Sequence, residues 1–120
     1  MIIREKGITV VRKNLLGGKG EVQVEPLFSP DEFESDVRFC SRVTLAEGCS
    51  IGLHQHIDED ELYFIISGEG IVSDGEIATE VKAGSAVLTR SGESHSIENR
   101  EKEELVMIAV IPKAHAKRNY

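Results

Sequence analysis

The chain reads as strands almost from end to end. From Asp36 to Leu45, apolar and polar residues alternate cleanly enough to sort into two faces. Val37, Phe39, Val43 and Leu45 fall on one, and Arg38, Cys40, Arg42 and Thr44 on the other. A period of two is the signature of a half-buried β-strand. Glu21 to Phe28 repeats it around Val22 and Val24, after a glycine-rich GGKG at Gly17 to Gly20, and Ser94 to Asn99 repeats it with His95, Ile97 and Asn99 sharing a face. Asp74-Gly75, between Ile71-Val72 and Ile77, is a hairpin-turn dipeptide. Leu105 to Ile111 differs: LVMIAVI is unbroken and apolar, and its length and β-branched content predict a strand buried on both faces. Only SPDEFES, Ser29 to Ser35, offers a helix start, with Ser29 as N-cap and Pro30 at the first position, and it predicts one turn. Many short strands with glycine-rich turns, and no repeat or linker, predict an all-β, antiparallel sandwich or closed barrel. It forms a single domain over residues 1–120 with a polar tail at 113–120.

Composition narrows the function classes. A chain of 120 residues can bury roughly two-thirds of the surface its unfolded form exposes. A formal charge of −7 argues against nucleic acid or an anionic membrane as partner. No apolar run approaches the roughly 20 residues of a membrane span, and MIIREKG lacks the apolar core of an export signal, so a cytoplasmic location is expected. Cys40 and Cys49 then read as reduced thiols.

The chemistry concentrates in GCSIGLHQHIDEDELYFIISG, Gly48 to Gly68. His54 and His56 lie one residue apart, and Glu61 follows five positions after the second. On a strand, His54 and His56 point the same way and Gln55 the other. Two imidazoles on one face, met by a glutamate from the next strand, are the beginnings of a metal site. A second segment, GSAVLTRSGESHSIEN, runs from Gly84 to Asn99 and holds a third histidine, His95.

Together these segments resemble the two motifs of the cupins. The first motif is met without departure by Gly48, His54, His56, Glu61 and Gly68. The second is met by Gly84, Gly92, His95 and Asn99, with Arg90 where proline is usual. The resemblance covers nearly half the chain and implies a double-stranded β-helix, the jelly-roll barrel. It also implies one divalent transition metal per chain, held by His54, His56, Glu61 and His95. This donor set suits manganese, iron, nickel, cobalt or zinc, and leaves two positions free on a six-coordinate ion.

The function expected from this resemblance is that of a metal-dependent enzyme on a small chelating carboxylate or polyol, of dioxygenase, decarboxylase or isomerase type. The alternative is a non-catalytic module that binds or senses a metabolite. Ile51 stands where oxalate decarboxylases of the family carry an arginine, three residues before the first histidine, which counts against decarboxylation. A polar group near the open metal positions would favour catalysis. Tyr63, which shares a face with Glu61, is the candidate, with Gln55 or Glu93 available if a loop folds over. Arg38 and Arg42 could anchor a carboxylate if their face looks inward, and are surface charges if it looks out.

Other features read as scaffold. Asp58, Glu59 and Asp60 form an acidic turn expected to be solvated, and His115 falls in the polar tail. GGKG lacks the spacing of a phosphate loop. Opposite Glu61, Tyr63 and Ile65, the residues Leu62, Phe64 and Ile66 make an apolar face that a lone barrel would leave in water, which predicts a homodimer.

Overall fold

The computed structural model describes residues 1–114, so His115 and most of the polar tail lie outside the described residues. Ten strands form two antiparallel sheets, with single 3₁₀ turns at Leu15–Gly17 and Pro30–Glu32. The strands are β1 (Val10–Lys13), β2 (Glu21–Pro26), β3 (Val37–Leu45), β4 (Ser50–Gln55), β5 (Glu61–Ser67), β6 (Glu69–Ser73), β7 (Ala78–Lys82), β8 (Ala86–Thr89), β9 (Ser94–Glu98) and β10 (Leu105–Pro112). The larger sheet runs β1-β2-β3-β10-β5-β8 and the smaller β4-β9-β6-β7. Packed face to face they make the jelly-roll sandwich. The core sits between them, built from the inward residues of each alternating strand, among them Val22, Leu45, Ile65, Ile97, Leu105 and Met107.

Alternation decides most faces as the sequence predicts. On β3, Ser41, Val43 and Leu45 are buried while Arg38 and Arg42 are exposed. On β5, Glu61, Tyr63 and Ile65 point in, and Leu62, Phe64 and Ile66 remain 39 %, 46 % and 43 % exposed. β10 departs from expectation. Leu105, Met107, Ala109 and Ile111 are buried, but Val106, Ile108 and Val110 on the other face are only half-buried. A sheet at the outside of a two-layer sandwich has no third layer to cover it. The Ser29 segment makes its single turn, where the Glu32 carboxylate accepts the Ser29 backbone N–H at 2.9 Å. Asp74 closes the β6–β7 hairpin by accepting the backbone N–H groups of Glu76 and Ile77, each at 2.8 Å, which leaves Ile77 in the turn and exposed.

One irregularity positions the site. β4 pairs with β9 through Ile51↔Ile97 and His54↔His95, with a register shift between these pairs. Strict alternation would put Ile51 and His54 on opposite faces. The bulge at Gly52-Leu53 inserts the extra residue that lets both point inward, and Leu53 is turned out to solvent. The GGKG loop packs directly on this bulge: a Cβ on Gly18 would meet the Ser50 carbonyl, and one on Gly52 the Leu16 carbonyl. Both positions therefore require glycine.

Candidate metal centre

His54 and His56 arrive from β4 and its end, His95 from the adjacent β9, and Glu61 from β5 across the sandwich. Their donor atoms lie within 4.8 Å of one another, an arrangement that could hold one metal ion. The three imidazole Nε2 atoms form a near-equilateral triangle with sides of 3.2 Å (His54–His56), 3.0 Å (His56–His95) and 3.1 Å (His54–His95). Glu61 Oε1 stands 3.0 Å from His56 Nε2 and 2.9 Å from His95 Nε2. Glu61, His56 and His95 are buried, and His54 is half-buried at the cavity wall.

What turns the rings this way is the set of partners on the other nitrogen. His54 Nδ1 lies 2.7 Å from the Gly52 carbonyl, which the bulge has brought under the ring. His56 Nδ1 lies 2.7 Å from Glu59 Oε2, and His95 Nδ1 lies 2.7 Å from Thr89 Oγ1. Each partner can accept a hydrogen bond from Nδ1, and the tautomer that satisfies all three in this way presents a bare Nε2 lone pair from each ring to the centre. Burial, the leading effect, holds His54 below the ordinary histidine range, against the opposing pull of the Gly52 carbonyl. A neutral imidazole is the form that ligates metal.

Behind the donors lies a cavity of about 320 Å³. Its walls are mostly apolar, with Leu15, Val24, Phe39, Val43, Ile51 and Met107 among them. Leu16, in the left-handed region at φ 52°, closes one side from the turn that leads into the GGKG loop. Tyr63 is the polar side chain deepest in this wall. Its ring stacks on His95 at 4.9 Å between centroids, and its hydroxyl lies 3.4 Å from His95 Nε2. Burial pushes the Tyr63 phenol well above its ordinary pKa, and the nearby Glu61 carboxylate adds to the shift, so the hydroxyl is a donor rather than a base.

The other candidates fall elsewhere. Gln55 is exposed and donates to the Gly92 carbonyl at 3.0 Å, and Glu93 is held by Arg90, which stands where proline is usual. Arg42 pairs outward with Glu25 at 3.1 Å, but Arg38 bends to the cavity rim and grips Glu59 through Nε and Nη2, both at 2.8 Å. Of the acidic turn only Asp58 is exposed. The Glu59 side chain is only 14 % exposed, and Arg38 holds its carboxyl below the usual carboxylate range, with His56 adding to the effect. Asp60 accepts the Ser91 N–H, and the Asp58 N–H donates to Ser91 Oγ. Thr89 and Glu59 were invisible as site residues in the sequence. No spacing rule marks a histidine's second partner, and three consecutive acids look like a surface.

With this geometry in view, likeness to known proteins is informative. The cupin domain family matches residues 41–111. An oxalate-binding protein from Thermotoga maritima is 43 % identical over 112 residues, covering 92 % of this chain and 93 % of its own. The crystal structure of a predicted oxalate decarboxylase from Thermotoga maritima superposes with a TM-score of 0.89 at 39 % identity, covering 94 % of this chain and 99 % of that one. A cupin 2 conserved barrel domain protein from Salinispora arenicola shares the fold at a TM-score of 0.76 and 22 % identity, over 95 % of this chain and 90 % of that one. By sequence and by fold, this chain belongs to the cupin family.

Proposed function

We propose that the protein holds one divalent transition metal on His54, His56, His95 and Glu61 and uses it to bind a small dicarboxylate of the oxalate class. The placing of the three imidazoles carries the reading. Three Nε2 atoms face one another at 3.0–3.2 Å while each Nδ1 has an acceptor on the far side, and the tautomer that satisfies those acceptors leaves three lone pairs that repel unless a cation lies between them. The spacing fits such an ion. Neighbouring donors at right angles, on bonds of about 2.1–2.2 Å, are about 3.0–3.1 Å apart, whereas tetrahedral donors on the same bonds are about 3.4–3.6 Å apart. The observed separations of 2.9–3.2 Å match the first case. The donors suit manganese, iron(II), nickel, cobalt or zinc, with the right-angled spacing favouring an ion that takes six ligands. Such an ion would supply positive charge and two adjacent vacant positions, which suit a ligand with two oxygens close together.

The chain's own residues then select the ligand. The apolar wall and the limited volume favour a small, flat molecule, and the Tyr63 hydroxyl is placed to donate to one of its oxygens. Arg38, Gln55 and Glu59 at the rim are already engaged, and Ile51, buried in the wall, offers no charge. Apart from the four donors, Tyr63 is the polar wall residue among those described whose side chain is not engaged at the rim, and its phenol, kept protonated by burial, can donate a hydrogen bond but cannot act as a base, which favours binding over turnover. The name of the Thermotoga relative, oxalate-binding protein, supports the same ligand class.

Calorimetric titration of metal-loaded protein with oxalate tests the reading. Saturable binding is expected at one oxalate per chain, lost in His56→Ala together with the metal. Metal binding without oxalate binding refutes the ligand class, failure to bind any metal refutes the site, and sustained carbon dioxide release refutes binding without turnover.

Assembly belongs to the same proposal: two chains pair through the outer face of the larger sheet. Register places Ile108 beside Phe64, Val110 beside Leu62 and Leu62 beside Leu88, so the apolar strip is continuous across β10, β5 and β8. A patch of this kind is unusual on a monomer, and a second copy covers it by symmetry.

A further inference from the structure

We infer that Glu59 is a positioning residue for His56, and that the Arg38–Glu59 pair sets how strongly the centre holds its metal. The inference rests on the metal reading above. Of the three imidazoles, two lean on neutral acceptors, the Gly52 carbonyl and the Thr89 hydroxyl. His56 alone leans on a carboxylate, at 2.7 Å. A carboxylate that accepts the Nδ1 proton raises the donor strength of Nε2 and fixes the ring's tautomer and angle. His56 Nε2, like His95 Nε2, also lies within 3.2 Å of each of the other three donors. A change in its donor strength is therefore felt by the whole set.

Glu59 is itself held on every side. Arg38 engages both of its oxygens, and Oε2 is shared between Arg38 Nη2 and His56 Nδ1. The backbone around it is fastened to β10 and its continuation, where the Asp60 N–H donates to Pro112, Ala114 donates to Asp58, and Glu59 bridges Lys113. On the other side, Ser91 ties the turn to the segment that leads into His95. The carboxylate is thus delivered to His56 by a fixed scaffold. The competing reading is a surface ion pair, since Arg38 is half exposed, and pairs of that kind contribute little and would leave metal affinity unchanged.

Metal-free wild type, Glu59→Gln and Arg38→Met are titrated with Co²⁺ against a chromophoric chelator, with the visible spectrum of bound Co²⁺ and the melting temperature of the metal-free protein recorded alongside. Glu59→Gln, which keeps a hydrogen-bond acceptor but loses the charge, is expected to weaken Co²⁺ binding by about 10–100-fold and to shift the visible bands. Arg38→Met, which leaves the carboxylate in place but loosens it, is expected to weaken binding less. Neither should lower the metal-free melting temperature by more than about 4 °C, the scale of a surface ion pair. Wild-type affinity and spectrum in Glu59→Gln overturn the inference, as does a melting loss large enough to account for the change. Should Glu59→Gln fail to fold, wild-type affinity in Arg38→Met overturns it alone. Failure of the wild type to bind Co²⁺ overturns the metal reading and this inference with it.

Discussion

Asn99 ends the second motif, yet it touches none of the four donors, and its replacement isolates what it does contribute. The side chain is 1 % exposed. Its Nδ2 donates to the Leu45 carbonyl at 2.9 Å and to the Glu103 carbonyl at 2.8 Å, while Oδ1 accepts the Glu101 N–H at 2.9 Å. Its backbone adds bonds to Gly48 and Cys49, so one residue joins the end of β3, the start of the first motif and the turn into β10. Asn99→Ala removes three hydrogen bonds. At about 1 kcal/mol each, with the fully buried bond to Leu45 at the upper end of the range, the loss is about 3–4 kcal/mol. For a chain of this size that lowers the melting temperature by roughly 12–16 °C. Asn99→Asp is nearly isosteric but turns an oxygen toward two carbonyls, so it should destabilise at least as much as alanine. Urea unfolding followed by far-ultraviolet circular dichroism measures both, with the slope against urea unchanged. A loss below about 1 kcal/mol for alanine, or an aspartate variant milder than alanine, would show that the hydrogen bonds are not what the position supplies.

Three further outcomes are expected. Metal at one hundred times its dissociation constant should stabilise the protein by about 2.7 kcal/mol, a rise of roughly 10 °C that a chelator reverses, and a melting point indifferent to both would refute the centre. Wild type should scatter light as a dimer and Phe64→Glu as a monomer with its secondary structure intact, whereas a monomeric wild type ends the dimer proposal. Gly18→Ala should cost about 1–3 kcal/mol, because its new methyl meets the Ser50 backbone, and unaltered stability would mean that the loop yields freely.

The fold was legible because two-layer β-proteins write their faces into the sequence. Val43 and Leu45, or Tyr63 and Ile65, could be assigned inward from spacing alone, and the structure buries them. The grouping of His54, His56, Glu61 and His95 was legible for a related reason, since residue type and motif spacing were both present. Three things were not. Alternation run through β4 would have turned Ile51 away from the histidines, and only the bulge at Gly52 reconciles them. The partners of the imidazole Nδ1 atoms are a backbone carbonyl, a threonine from the paired strand's neighbour in the chain and a glutamate from a charged turn, none of which carries a sequence signal. Arg38 and Arg42 share one face, yet only Arg38 reaches the cavity rim, because its partner Glu59 lies there while Glu25 draws Arg42 across to β2. Pattern gives a side chain's face, whereas its reach depends on what stands opposite in space.

The donors come from both layers of the sandwich: three from the smaller sheet and the end of β4, and Glu61 from the larger. An ion held by all four would therefore rivet the two sheets together, beside the Thr89–His95 and Asn99–Leu45 hydrogen bonds that already cross between them. The sheets could then not part at that end without breaking a coordination bond. Opening of the barrel at that end would then wait on the ion. Amides of β5 and β9 should exchange with solvent in step with release of the metal, and much faster once it is gone.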